Sequence, residues 1–436
     1  MTGAALETDL FRAAFEQRAA ARHEPGWLVR LREEAFARYA ATGLPTTRDE
    51  AWRFTNVQPI ARTSFAAPSA FDATEADVMA AGLVELGGPR AVFVNGRLHA
   101  GLSRLQGSGV RALGAVIEQE PARLQGRLGR DAKDRTPFTA LNTALFEDGA
   151  VVEIAAGERL AHPIHLAFYS SAGAPSVTHP RVLVLLGRNS QATVVESHFG
   201  RGTYLTNAAS ELFVEDGAQL EHVKLQRESQ TAFHVATLSA VLGRDARLAQ
   251  HHMALGALLA RADIEARFDG EGGSCALFGL FHADGQRLLD SHTRLDHAVP
   301  HAESHELYKG ILDGRARGVF HGRIVVRQDA QKTAAYQTNQ NLLLSRDALV
   351  QSIPQLEIFA DDVKCKHGST TGQLDDSVLF YLRSRGIGES EARSLLTYAF
   401  ASDVIQKLPL AELRSAVTSH LHERLGGGRE IREAAL

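Results

Sequence analysis

Residues 181–196 read RVLVLLGRNSQATVVE. A β-forming run, Arg181-Val182-Leu183-Val184-Leu185-Leu186, meets a turn at Asn189-Ser190-Gln191-Ala192. A second run, Ala192-Thr193-Val194-Val195-Glu196, follows at once. Runs this short, bounded by Gly and Asn, read as strands. The same pattern extends outward on both sides. Comparable turns stand at Asp148-Gly149-Ala150, Asp216-Gly217-Ala218, Asp245-Ala246, Gly272-Gly273-Ser274 and Asp313-Gly314-Arg315-Ala316, with a further strand at Gly322-Arg323-Ile324-Val325-Val326. Several neighbouring turns lie roughly 25–30 residues apart, within the range of stacked repeats. One such unit cannot bury its apolar face, whereas a stack buries a continuous core. The expectation is a mainly β chain with a β-helix over residues 136–370. A two-sheet sandwich is the alternative, but it does not require the turn to recur with the same Asp/Gly-x-Ala flavour. A solenoid has open edges, which invite strand pairing with another chain or with a second copy.

The flanks have helical periodicity. In residues 1–135, Leu10, Phe11, Ala14 and Phe15 recur at helical spacing, and Pro25-Gly26 ends that pattern. Leu28, Leu31, Ala35, Phe36 and Tyr39 then line a second helix. Trp52 and Phe54 are expected to plug a groove. Val92-Phe93-Val94-Asn95-Gly96-Arg97-Leu98 is a hairpin signal. In residues 371–436, Leu396, Phe400 and Val404 form one helical stripe, widened by Leu395, Ala399 and Ile405. Leu410, Leu413, Val417 and Leu421 mark another helix, which Gly426-Gly427-Gly428 is expected to stop. These helices either cap the solenoid or present a groove to a partner.

Composition excludes several classes. Formal net charge is −4 with no long basic run, which argues against binding driven by nucleic-acid phosphates. Cys275 and Cys365 are the only cysteines, so a disulfide framework is not expected and a reducing cytoplasm fits. No stretch has the length of uncharged apolar sequence that a membrane span needs. There is no Gly-x-x-x-x-Gly-Lys-Ser/Thr motif, so the chain is not itself expected to be a P-loop ATPase.

Two constellations could carry chemistry. In Leu356-Glu357-Ile358-Phe359-Ala360-Asp361-Asp362-Val363-Lys364-Cys365-Lys366-His367-Gly368, an extended backbone puts Cys365 and His367 on one face and both lysines on the other. Thiol and imidazole together make a soft two-point site. Flanking ammonium groups would favour the thiolate. The plainer reading is a buried Cys beside a surface His. His292, His297, His301 and His305 crowd another stretch, where a strand would align His301, Glu303 and His305. A solvated strand face describes those three equally well.

Four blocks of the C-terminal half are shared with a known family. They are His305–Phe320, Gln331–Ser345, Pro354–Gly368 and Leu379–Ile387. Together these resemble the SufB/SufD family of iron–sulfur cluster assembly proteins. Glu50-Ala51-Trp52-Arg53-Phe54-Thr55 is the clearest upstream echo. The resemblance implies a right-handed parallel β-helix between helical regions. It implies pairing with SufB through the β-helix and docking of SufC, an ABC-type ATPase, on the C-terminal helices through residues such as Leu396, Phe400 and Val404. A cluster normally needs several thiolates. A chain with one cysteine in the matching motif suits the SufD side of the family, which contributes a histidine across the junction. By that resemblance His367 is the candidate ligand and Cys365 an auxiliary thiol. The iron–sulfur cluster would be transient and shared with SufB, with none held tightly by the isolated chain.

The leading functional expectation is therefore a non-enzymatic assembly subunit. A β-helix polysaccharide lyase or hydrolase is the alternative, but it predicts paired carboxylates and no such pair stands out. A self-contained metalloenzyme built on His301, Glu303 and His305 is the third.

Overall fold

The computed structural model describes residues 11–19, 24–68, 73–130, 136–171 and 173–425. Leu10, the expected helix stop at Gly426-Gly427-Gly428 and the tail beyond it lie outside the described residues. Consecutive solenoid strands alternate between two ten-stranded sheets, and each pairs in parallel with the strand one coil away. Sheet I runs from the hairpin Arg90–Val94/Arg97–Leu98 to Lys364–Gly372, and sheet II from Val110–Ala112 to Leu349–Ile358. The result is a parallel β-solenoid of about eight turns. The register Leu220↔Leu248↔Cys275↔Ser304↔Ala335↔Cys365 gives coil lengths of 28, 27, 29, 31 and 30 residues by subtraction. These are the intervals at which the turns recur.

One corner explains the turn chemistry. Asn189, Gly217, Asp245, Gly272, His301 and Lys332 all have positive φ, between 55° and 73°. Gly, Asn and Asp tolerate this left-handed conformation best. Each corner is tied to the next by the backbone, as in Asn189 N–H to Asp216 O at 2.9 Å and Gly217 N–H to Arg244 O at 2.8 Å. The Asp313-Gly314 turn belongs to a different corner, where Gly314 stacks on Gly285.

The interior is apolar along one side. Val194, Leu220, Leu248, Leu277, Leu212, Ile264, Phe268, Leu295 and Ile324 form part of its main core. The N-terminal helix Gly26–Thr42 joins Pro137–Leu145 through Ala35, Phe36, Tyr39, Leu141 and Ala144. Trp52 is buried against Phe138, and the Arg261 guanidinium lies 3.8 Å from its ring. Arg261 also donates to Ala51 O at 2.6 Å, and Thr55 Oγ1 donates to Asp290 Oδ2 at 2.5 Å. The Glu50–Thr55 motif thus latches the N-terminal region to the wall of sheet II. Phe54 is only half-buried, so Trp52 alone fills the groove. The Asn95-Gly96 hairpin forms as expected, and its strand Arg90–Val94 extends sheet I.

At the other end, the helices Glu389–Ile405 and Ala411–Leu425 cover the outer face of sheet I. Val404, Ile405, Leu413, Val417 and Leu421 meet Val223, Leu225, Met253, Leu280 and Ile311. No helix among the described residues is long and apolar enough to cross a membrane.

Candidate functional site

The solenoid ends on Lys364–Gly372 in sheet I and Leu349–Ile358 in sheet II. Among the described residues no strand pairs with either outer edge. Parallel register places Cys365 beside Ala335 and His367 beside Gln337. Cys365 therefore continues the inward column Leu220, Leu248, Cys275, Ser304, Ala335. His367 continues the column His222, Gln250, Leu277, Glu306, Gln337. Both point to the inner face, and Lys364 and Lys366 alternate to the outer one. In any other coil that inner face is core. In the last coil it opens to solvent, so Cys365 is half-buried against the core and His367 is exposed.

The expected thiolate is corrected by this geometry. Burial raises the Cys365 pKa, opposed only by a backbone hydrogen bond from Ala335. The ammonium groups lie across the strand and do not compensate. Cys275 is fully buried, and burial raises its pKa further.

The His301, Glu303, His305 alignment does not form. His301 occupies the left-handed corner position, and only Glu303 and His305 lie on the strand Glu303–Leu312. Among the described residues, no three His, Cys, Asp or Glu side chains are grouped to hold a metal ion. Cys365 and His367 can supply two ligands at most.

The helical stripe is largely spent on the chain's own wall. Val404 is fully buried in the sheet I cluster. Phe400 packs against that cluster, with Lys309 Nζ 4.6 Å from its ring centre and 2.9 Å from its carbonyl. Leu396 is half-buried. In the C-terminal helices, large apolar side chains are exposed on the preceding helix, Asp376–Ser384: Val378, Phe380 and Tyr381.

One polar feature was not foreseen from the sequence. Inside the middle coils, Glu196 lies 2.9 Å from His222 and accepts from Ser210 at 3.0 Å. Glu228 lies 2.8 Å from His234 and accepts from Thr206 at 2.6 Å. Lys224 and His252 are buried beside them. Burial would raise Glu228, but His234, His198 and Thr206 outweigh it and hold the carboxyl at about 2. Burial chiefly lowers His252, to about 3, with Lys224 adding to the shift. Nearer the open end, burial raises Glu306 to about 7 against hydrogen bonds from Thr293 and Gln337. Asn339, Asn341, Ser352 and Ser369 then carry a hydrogen-bonded chain to the last coil. On paper these residues alternate with apolar ones, as a solvated strand face would.

Comparison with known proteins gives two adjoining family matches. Residues 7–166 match the family described as the SufBD protein N-terminal region. Residues 168–400 match the SufBD core domain of the SUF system of FeS cluster assembly. A SufBD family iron–sulfur cluster assembly protein of Synechocystis sp. is 34% identical over 92% of this chain and 91% of its own length. The iron–sulfur cluster assembly protein SufD of Escherichia coli is 32% identical over 89% of this chain and 90% of its own. The chloroplastic protein ABCI7 of Arabidopsis thaliana is 29% identical over 90% of this chain and 85% of its own.

Proposed function

The chain belongs to the SufB/SufD family of iron–sulfur cluster assembly proteins, and from that premise we propose that it is a non-enzymatic scaffold subunit of the SufD type. In this reading it pairs with SufB through the open end of the solenoid and lends His367 to the nascent cluster. The ATPase SufC docks on the C-terminal helical region, and the assembly works in the cytoplasm.

One observation carries the reading. Cys365 and His367 lie on the inner face of a terminal coil whose outer edge has no strand partner among the described residues. Two ligands cannot complete a cluster that normally takes four. The missing thiolates must come from whatever continues the coil, and strand addition at an open edge supplies such a partner. Neutral imidazole is a competent iron ligand. For SufC, the exposed Val378, Phe380 and Tyr381 offer a better anchor than the buried Val404.

Co-expression with SufB and SufC, followed by anaerobic cluster reconstitution, tests the proposal. His367→Ala should leave the complex intact and lower its iron and sulfide content severalfold. Phe380→Ala with Tyr381→Ala should lose SufC and keep SufB. Normal cluster yield from His367→Ala would refute the assigned role, as would a stoichiometric cluster built and retained by the isolated chain.

A further inference from the structure

We infer that His292 and His321 form a second metal-ion site, for one divalent transition-metal ion of the Zn2+ type, on the outer face of sheet II. The proposal does not depend on the cluster-assembly reading.

A cleft of about 360 Å3 opens on that face, lined among others by Trp52, Arg261, Asp263, His292, Arg294 and His321. Asp263, His292 and His321 stand in register on three successive strands. The two imidazoles meet at Nδ1···Nδ1 3.2 Å with their planes at 87°. Two nitrogens bound tetrahedrally to zinc at its usual bond length lie about 3.3 Å apart. The pair is therefore already spaced for one ion.

The tautomers suit that use. The buried Asp290 Oδ1 lies 3.1 Å from His292 Nε2. The same carboxyl accepts from Thr55 Oγ1 at 2.5 Å and pairs with Arg261 at 2.9 Å. The contact with His292 is an ion-pair distance rather than a formed hydrogen bond, and a carboxylate there favours the proton on Nε2, which leaves the Nδ1 lone pair on the side of His321. Carboxylate-backed imidazole is the usual support of a metal-ligating histidine.

The surrounding charge does not repel a cation. Arg261 is paired with Asp263 at 2.7 Å and with Asp290 at 2.9 Å. Arg294 lies 3.6 Å from Asp296, and Arg323 lies 2.7 Å from Glu357. Because Asp263 turns to Arg261, the protein supplies two nitrogens and water the remaining positions.

The test uses the full chain carrying Cys365→Ala and His367→Ala, which removes the other candidate ligands, after treatment with a chelator. Calorimetric titration with Zn2+ should show one ion bound per chain, and Zn2+ should raise the melting temperature. His292→Ala and His321→Gln should each weaken binding at least about tenfold and abolish the thermal shift. His301→Ala should change neither. Zinc-free melting curves confirm that each variant is folded. Failure of the parent to bind, or unchanged binding in both variants, overturns the site and leaves only a hydrogen-bonded imidazole pair.

Discussion

Glu306 is a carboxyl group placed where a carboxylate is unwelcome. It is fully buried, accepts from Gln337 Nε2 at 2.6 Å and has no cation among the groups that shift it. Burial raises its pKa from 4.5 to about 7, so the folded state holds a proton that the unfolded chain has already released at neutral pH. A raised acid stabilises the fold most at low pH, and the contribution is lost as pH climbs from the unfolded value toward the folded one. Linkage puts the resulting penalty at about 3 kcal/mol at pH 8 and about 2 kcal/mol at pH 6. Glu306→Gln removes the titration and keeps an oxygen for Gln337. The variant should be more stable than the parent in urea unfolding, by about 3 kcal/mol at pH 8 and about 1 kcal/mol less at pH 6. A stability difference that is flat with pH, or that grows on acidification, would refute the account of this carboxyl.

The buried histidines predict the opposite trend on the acid side. Burial holds His165 and His252 at about 3, and His198, His282 and His297 at about 4, against 6.5 in the open chain. The unfolded chain takes up these protons as pH falls through 6.5 and the folded one refuses them, so each group costs about 2 kcal/mol by pH 5. Unfolding should therefore begin above the carboxylate range, and His252→Gln should flatten the profile seen by circular dichroism; an unchanged midpoint would contradict this. The N-terminal latch should be cooperative. Arg261→Met leaves Asp290 buried without its cation and should cost about 3–5 kcal/mol, and Asp290→Asn in the same chain should recover part of it; simple additivity in urea unfolding would argue against the pairing. Under native conditions iodoacetamide should label Cys365 slowly and leave Cys275 untouched, and rapid labelling of Cys365 would show a thiolate that its burial does not allow.

The architecture was legible because a solenoid writes its period into the chain. Turns that need left-handed residues must recur once per coil, and Asn189, Gly217, Asp245 and Gly272 do so. The alternation around Cys365 and His367 was equally readable, since a strand has only two faces. What alternation cannot say is which face is inside. Glu196, His222, Lys224 and Glu228 carry polar or charged groups of the kind that normally face water, yet they are buried within the coils. His301 occupies a corner more often held by Gly, Asn or Asp, and a histidine there gives no sign in the sequence that the strand has not yet begun. Val404 was read as a partner contact because an apolar helical stripe looks the same whether it meets its own sheet or another chain. The pairing of His292 with His321 was within reach of arithmetic. Residues 29 apart in a solenoid of about that period are neighbours, and Asp263 precedes His292 by the same step.

The composition of the last coil bears on which partner it can accept. A solenoid that simply stopped would expose its apolar core, and an uncovered edge of that kind pairs indiscriminately. Here the sheet I side of the interior becomes polar before the end, while Leu356 and Ile358 keep the sheet II side apolar. Asn341 donates to Asn339 at 2.6 Å, Ser352 donates to Asn339 at 2.7 Å, and Ser352 meets Ser369 at 2.7 Å. The edge strands carry two further guards, Lys364 and Lys366 in sheet I and Pro354 in sheet II. Proline removes a ladder donor, and lysines on an edge disfavour pairing with another lysine-bearing edge. Two copies of this chain meeting end to end would bring four ammonium groups to one seam, beside the exposed Asp361 and Asp362 of the preceding turn. A different partner with carboxylates at the matching positions meets no such penalty. Under the proposed function, these lysines and the proline would favour a different partner over a second copy at this end.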